Sequence, residues 1–363
     1  MCLCYVLLSP TWGMHQYTAD LAGRMQAAGH EVHVVTTQCA PRDRYAPGVR
    51  IHTPVATGDT GFSLDALRPR DLRRLLATTR SLQPDLVHFT GPHLWNPLLL
   101  RALRRAGIPT VHTLHDLHPH AGAVYGRLLY LWNGWVRREA DHLLVHGQRY
   151  RAELLARGKG AKGVTYTPLT HLFVGYAREQ ALRRSLPEVR YEPWALFIGR
   201  LEAYKGLDVL VEAARRLDPQ RTRVVIAGPG RWERFMRGPL PSNVEVRGRL
   251  VEDEEAVDLF ARSGLVVLPY VEASQSALVA AAYFFRKPVI VTNVGALPEY
   301  VVEGETGWVI PPRDPRALAG ALQAALSDPA RLARMGEAGR LWYEQQYQAE
   351  EIALQEMYHV VST

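Results

Sequence analysis

The stretch "WALFIGRLEAYKGLDVLVEAARRL" (residues 194–217) holds the plan of the chain in one unit. An apolar run ends at Gly199, a short polar loop carries Arg200 and Lys205, and an apolar pattern of helical period follows from Leu207. Such a run, too short for a helix and closed by glycine, predicts a buried strand that turns into a helix. The same unit recurs through the second half in "RVVIAG", "NVEVRG", "GLVVLPY", "KPVIVTN" and "GWVIPP". The first half alternates likewise: "LCYVLLS", a loop "PTWGMHQ", a helix "YTADLAGRMQAAG", then "HEVHVVTT", "PDLVHFTG", "IPTVHTLHD" and "ADHLLVHG". Buried strands separated by helices form parallel sheets with both faces covered. Between the halves the pattern lapses at "SLPEVRYEP", which reads as linker. The expectation is two facing Rossmann-like doubly wound domains, residues 1–172 and 194–345, joined by a linker over 173–193.

With 363 residues, 47% of them hydrophobic and 22% charged, the chain exceeds one ordinary core and has the composition of a soluble globular protein. Three cysteines (Cys2, Cys4, Cys39) show no metal-ligand spacing beyond a short C-x-C, and they argue for a reducing compartment rather than a disulfide framework. The opening "MCLCYVLLSP" lacks a basic n-region and reads as a buried first strand, so a cytoplasmic protein is expected. Charge is uneven: residues 1–172 carry 20 Lys+Arg against 11 Asp+Glu, the remainder 23 against 25. A basic first half suits an anionic partner, with nucleic acid or a phospholipid surface as candidates, unless the arginines are merely solvated.

In doubly wound sheets, ligands bind outside the carboxyl ends of the strands. Four loops there carry polar residues: the one at Trp12–His15 with Gly13, His115–Asp116, Arg200–Lys205 and Glu272–Ser276. Lysine is scarce, only Lys159, Lys162, Lys205 and Lys287 beside 39 arginines. A fork-shaped cation at Arg200 and a compact one at Lys205, by a helix start, suit a diphosphate; the alternative is a pair of surface charges. Glu272 would repel phosphate but could accept hydrogen bonds from sugar hydroxyls, while the N–H groups of Ser274, Gln275 and Ser276 serve an anion.

"GRLEAYKG", "AGPG" and "EASQSALVAAAYFFRKPVIVTNVGALPEYVVEGETGWVIPPRDPRALA" together closely resemble the retaining GT-B glycosyltransferases of family 4, over most of residues 194–326. "GMHQYTADLAGRMQAAGHEVHVVTT", "PDLVHFTGP" and "HTLHD" agree more loosely, and "YQAEEIALQEMYHVV" resembles the family's terminal helix, which crosses back to the first domain over 346–363. The resemblance implies sugar transfer from a UDP- or GDP-sugar to an acceptor hydroxyl with retained anomeric configuration and no bound metal or other cofactor. It places Arg200 and Lys205 on the diphosphate, Glu272 on the donor sugar and His115 beside it. Gly13 and Gly199 let backbone approach the phosphates, and Arg249, Leu250 and Val251 lie near the base. A glycan, a lipid-linked or a small-molecule acceptor would meet the first domain.

Three positions depart from the family pattern. Ala281 stands where a glutamate usually holds the ribose, and Ala277 and Arg286 stand where glycines are usual. The missing acid keeps two alternatives open: a catalytically silent homologue acting as a binding or scaffold subunit, and a GT-B sugar-nucleotide epimerase. Retention of Arg200, Lys205, Glu272 and His115 together favours the enzyme. "HTLHDLHPHAG" gathers His112, His115, His118 and His120, yet no cysteine or second acid completes a metal shell. "GPGRWER" lacks the third glycine and distal acid of a dinucleotide fingerprint. Arginine clusters "RPRDLRRLL" (68–76) and "RALRR" (101–105), with "GRLLYLWNGWVRR" (126–138), predict peripheral attachment to the inner face of an anionic membrane, with no nucleic-acid partner.

Overall fold

The computed structural model describes residues 1–56, 68–118, 126–158, 163–236 and 238–363. The chain divides into one unit of Met1–Gln180 with Gln348–Thr363, and a second of Ala181–Tyr347. His120, Lys159 and Lys162 lie outside the described residues.

In the first unit the aliphatic runs form β1 (Cys2–Leu7), β2 (Glu31–Thr37), β4 (Leu86–Phe89), β5 (Thr110–Leu114) and β6 (His142–Val145). The sequence reading missed β3 (Arg50–Val55) and β7 (Gly163–Tyr166), which have mixed polarity and form the two edges. The order is β3-β2-β1-β4-β5-β6-β7, and every pairing is parallel. The helices are α1 (Trp12–Ala27), α2 (Pro69–Ser81), α3 (Asn96–Arg105), α4 (Gly126–Glu139) and α5 (Gln148–Ala156), and the division between the units falls within α6 (Tyr176–Arg184). Two expectations change. "PTWGMHQ" is not a loop, because α1 already begins at Trp12. The span read as linker contains α6, whose Leu182 is buried. The isolated leucine on a charged nine-residue helix left no periodic run to read.

The second unit contains β8 (Trp194–Ile198), β9 (Arg223–Ala227), β10 (Val244–Arg247), β11 (Leu265–Leu268), β12 (Val289–Thr292) and β13 (Gly307–Ile310), ordered β10-β9-β8-β11-β12-β13. Its helices are α7 (Leu207–Ala214), α8 (Asp253–Arg262), α9 (Leu278–Phe284) and α10 (Pro315–Leu326), with α11 (Pro329–Ser362) belonging to it up to Tyr347 and to the first unit from Gln348. Asp314 starts α10 by accepting the N–H groups of Arg316 and Ala317, both at 2.9 Å. Strand order reverses between β1 and β4 in the first unit and between β8 and β11 in the second. These are the switch points at which loops diverge and open a crevice. No helix among the described residues is long and apolar enough to cross a membrane.

The end of α11 joins the first unit through buried polar contacts. Arg24 reaches Asp20 at 2.5 Å and Glu350 at 2.7 Å, and the Thr170 hydroxyl donates to the same Glu350 carboxylate. Tyr358 Oη lies 2.7 Å from His88 Nδ1 and 3.1 Å from Tyr5 Oη. A buried charge pair earns little by itself, but removing one member leaves the other desolvated and alone. These contacts therefore specify where the terminal segment docks.

At the departures from the family pattern, the backbone decides. Arg286 has φ 55°, in the left-handed region, and follows α9 in a turn closed by Arg286 N–H to Tyr283 O (2.9 Å) and Lys287 N–H to Ala282 O (2.8 Å). Glycine is the low-cost residue there, and a side chain costs about 1–2 kcal/mol. Ala277 has φ −65° and ψ −14°, an ordinary helical geometry that alanine adopts freely. Arg286→Gly is expected to raise stability by about 1 kcal/mol in urea unfolding, less the added freedom of the unfolded chain.

Burial holds many imidazoles of the first unit below their ordinary pKa: His15, His142 and His171 to about 4, His112 to about 3, and His30, His52, His88, His115 and His146 in the same direction. A histidine whose folded pKa is depressed is neutral in both states at high pH and contributes nothing there. Below the unfolded value, near 6.5, the unfolded chain takes up protons that the folded one excludes. Stability of this unit should therefore decline as pH falls from about 6.5 towards 4, by up to about 1.4 kcal/mol per pH unit for each such group. Chemical unfolding at pH 7.5, 6, 5 and 4 measures it, and a flat profile would contradict this assignment.

Candidate functional site

The loops that leave β8 and β11 flank the switch point of the second unit and meet backbone to backbone. Gly206 has φ 68°, and a Cβ there would lie 2.0 Å from the Pro269 carbonyl oxygen. The Val271 N–H donates to Tyr204 O at 2.9 Å. On the far side, Gly295 (φ 53°) packs so closely that a Cβ would lie 1.9 Å from Ala273 O, while Ala296 N–H donates to Ser274 O at 2.8 Å. Glycine is required at both positions because the conformation and the close approach each exclude a side chain.

This frame brings Arg200, Lys205, Glu272, Ser274, Gln275 and Ser276 to the carboxyl ends of adjacent strands. Lys205 Nζ sits 3.8 Å from the ring centroid of Tyr270 and 4.9 Å from that of Tyr204. Burial lowers the Lys205 pKa, the Tyr204 phenol raises it, and the neighbouring positive charge of Arg200 lowers it further. Tyr270 is fully buried, and its hydroxyl lies 3.4 Å from Ser276 Oγ. Sequence reasoning missed both tyrosines. Their signal was positional: Tyr204 adjoins the lysine and Tyr270 precedes Glu272 by two residues.

Arg200 is exposed and pairs with Glu202 at 3.0 Å. Such a surface pair is worth about 0–1 kcal/mol, so an incoming anion can displace it. Gly199, at φ 137°, turns the chain out of β8. Glu272 lies in the loop after β11 rather than at the strand end itself, with Arg313 at 3.8 Å. Arg313 is a second contact that sequence reasoning missed; its backbone is left-handed at φ 60°. Arg249, Leu250 and Val251 lie between β10 and α8, where Glu255 binds both guanidinium nitrogens of Arg249 at 2.7 and 3.0 Å. Leu250 is 57% exposed, an apolar surface beside that ion pair. Ala281 is buried inside α9, so that position offers no polar surface.

The other two residues belong to the first unit. Gly13 lies in the first turn of α1, not in a loop, and a Cβ there would meet nothing within 4 Å. His115 follows β5 and is buried, with Nε2 2.9 Å from Thr90 O. A carbonyl only accepts, so Nε2 carries the hydrogen and Nδ1 keeps its lone pair. Burial lowers the His115 pKa, opposed by the Thr90 contact and the Asp116 charge. Tyr17, one turn along α1 from Gly13, packs edge-on against His115, His146 and His171 at centroid distances of 4.9, 5.2 and 5.6 Å. The histidines near His115 go to separate partners: His112 Nε2 to Asn96 at 3.0 Å, and His118 to Glu153 at 2.8 Å and Tyr130 at 3.2 Å.

Comparison with known proteins agrees with this geometry. Residues 13–170 match the glycosyl transferase 4-like domain and residues 192–328 match glycosyl transferases group 1. The chain is 28% identical over 374 residues to glycogen synthase of Mycobacterium tuberculosis, covering 90% of this chain and 86% of that one. Sucrose-phosphate synthase from Thermosynechococcus elongatus shares the fold with a TM-score of 0.77 at 21% identity, over 99% of this chain and 98% of that one. Anabaena HepE, solved in complex with UDP and glucose, superposes with a TM-score of 0.69 at 16% identity over 98% of both chains. With two parallel-sheet units, switch-point loops and both domain matches in sequence order, the chain belongs to the GT-B glycosyltransferases, pairing a glycosyl transferase 4-like domain with a glycosyl transferases group 1 domain.

Proposed function

We propose that the protein transfers a sugar, with retention of anomeric configuration and without a metal at the transfer site, from a UDP- or GDP-sugar to an acceptor hydroxyl. The observation that carries this reading is the pair of cations beside the β8/β11 switch point, one held over the faces of buried Tyr270 and half-buried Tyr204 and one exposed. The complex of the fold relative HepE with UDP and glucose supports a nucleotide-sugar donor.

In this reading Arg200 and Lys205 neutralise the charge that grows on the departing diphosphate, which is where fixed cations contribute most. The Ser274–Ser276 N–H groups add donors, Glu272 accepts from sugar hydroxyls, and His115 lies beside the sugar. Gly13 leaves room for the donor at the start of α1, and the Arg249–Val251 segment meets the base. A donor phosphate oxygen takes the acceptor proton as the hydroxyl attacks on the face the diphosphate leaves. The cations then serve chemistry more than affinity, and Glu272 serves the sugar and not the nucleotide.

Calorimetry with UDP, GDP and their sugars, alongside transfer assays, tests these roles. Lys205→Ala and Arg200→Ala should each lower turnover about 100- to 1000-fold in folded protein. Lys205→Arg should fail to restore it, because a longer planar guanidinium presents its donors in a different geometry from a compact ammonium. Glu272→Gln should weaken the sugar nucleotide and spare the free nucleoside diphosphate. Near-normal transfer by the cation variants, or equal losses for both ligands in Glu272→Gln, would remove the assignment.

We further propose that the acceptor side meets an anionic membrane surface. Leu128, Leu131 and Trp135 on α4 are 52, 73 and 38% exposed and follow one another at helical spacing. Arg138 is exposed on the same helix, and α3, which packs on α4, adds Arg101, Arg104 and Arg105. Trp132, grouped with these residues in the sequence reading, instead faces the core and donates from Nε1 to His93 O at 3.1 Å. Flotation with vesicles containing anionic lipid should carry the protein upward at low salt and release it as salt rises. Leu131→Glu with Trp135→Glu should abolish flotation without affecting transfer to a soluble acceptor. A protein that stays below the vesicles at low salt would overturn the proposal.

A further inference from the structure

At the opposite edge of the first unit's sheet from the α1 N-terminus, the starts of three strands bring together a set of metal-ligating side chains. Cys2 pairs with Glu31 in register and Cys4 with His33, while His33 pairs with Arg50 across the next ladder. Side chains two residues apart in a strand share a face. Cys2, Glu31, His33, Arg50 and His52 therefore project from one face at the amino ends of β1, β2 and β3. A ligand atom of Cys2, one of Glu31 and one of His33 lie within 4.8 Å of one another. His33 Nε2 is already 3.3 Å from Glu31 Oε1.

We infer that Cys2, Glu31 and His33 form a binding site for a divalent cation of the zinc class, with a fourth position open to water. Ligand atoms around a tetrahedral zinc ion stand about 3.5 Å apart, so closing this group on a cation needs movements of about 1 Å. Thiolate, imidazole and carboxylate together favour zinc over the hard cations magnesium and calcium, which prefer all-oxygen shells. The groups that touch these ligands fit as well. His33 Nδ1 lies 3.0 Å from His52 Nε2. With Nε2 on a cation, Nδ1 carries the hydrogen and donates it to His52, the support that metal-bound imidazoles commonly have. Asp85 accepts the Cys2 N–H at 2.7 Å and adds negative charge nearby.

Two contacts compete with the cation. Arg50 pairs with Glu31, but its guanidinium is 66% exposed and can swing into water at little cost. The thiol's hydrogen bond is long, Sγ to Leu82 O at 3.6 Å, and easily given up. The alternative is a polar cluster that satisfies itself at a strand start. A soft thiol, a carboxylate and a buried imidazole converging within 4.8 Å of one another fit the cation better.

The test uses the full chain, stripped with a chelator and titrated with zinc against a chromophoric competitor, then with cobalt(II) for spectroscopy. One equivalent should bind, and the cobalt form should show a thiolate charge-transfer band. Cys2→Ser should remove that band. Cys39→Ser, at an exposed position, should leave it. His52→Ala should keep the band and lower affinity about 10- to 100-fold. Glu31→Gln, at an exposed side chain, should weaken binding and keep the band. Absence of stoichiometric uptake would overturn the inference. So would a thiolate band that survives Cys2→Ser, or unchanged affinity in Glu31→Gln.

Discussion

The contact between the loop after β8 and the loop after β11 fixes the position of the other groups at the candidate site. At Gly206 the two backbones come so close that no side chain fits between them and Pro269. Because Tyr204 O accepts from Val271 N–H, the Lys205 loop and the Glu272 loop cannot shift independently. Gly295 repeats the arrangement against Ala273, extending the frame to the loop after β12. Cations and carboxylate thus reach their places through main-chain contacts, which are stiffer than side-chain contacts. Fixed charges help a reaction only when they need not reorganise as it proceeds.

The first unit solves a different problem. Its inner surface holds polar rings where an aliphatic core would be expected, and Tyr17 packs against three imidazoles at once. Most buried polar atoms find a partner, and several partners here are backbone carbonyls or hydroxyls on or just after adjacent strands: Thr90 O for His115, Thr167 O for His146, Thr113 for His88. Such a core has few alternative packings, since a one-residue slip would break several directional contacts together. The terminal segment is held in the same way, through Tyr358 and Glu350.

Much of this was legible in the sequence because the strands facing both helical layers must be apolar throughout. β8, β9, β11 and β12 announce themselves as runs closed by Gly, Pro or a small polar residue. The edge strands β3 and β7 were illegible for the converse reason: half exposed, they carry His, Thr, Tyr and Arg at positions an inner strand would make aliphatic. The start of α1 was misread because Trp12 and Gly13 are poor helix formers, and helix initiation there rests on Thr11 O accepting from Met14 and His15 N–H. At the site, charged groups were visible by type and place, but the neutral groups that position them were not. Tyr270 and Tyr204 look like any aromatic residue until the fold puts them around an ammonium group.

That placement is shared by the two lysines among the described residues. Both described lysines lie on tyrosine rings: Lys205 on Tyr270 at 3.8 Å, and Lys287 on Tyr191 at 4.3 Å with its ammonium also donating to Arg190 O. Both are largely withdrawn from water, and burial lowers the pKa of each, to about 7 for Lys287. Arginines also lie over rings here, Arg183 over Tyr347 at 4.1 Å for one, so the ring alone does not select lysine; an ammonium differs in being a compact point charge with three rotatable donors. At Lys287 those hydrogens are used by the protein's own backbone, so the residue closes a joint. At Lys205, the tyrosine rings hold the charge from one side, at a strand end beside Arg200. The same local chemistry thus serves two settings: the Lys287 ammonium is tied to a backbone carbonyl, while the Lys205 ammonium, hydrogen-bonded to Tyr204, stands at a strand end with Arg200 close enough to lower its pKa.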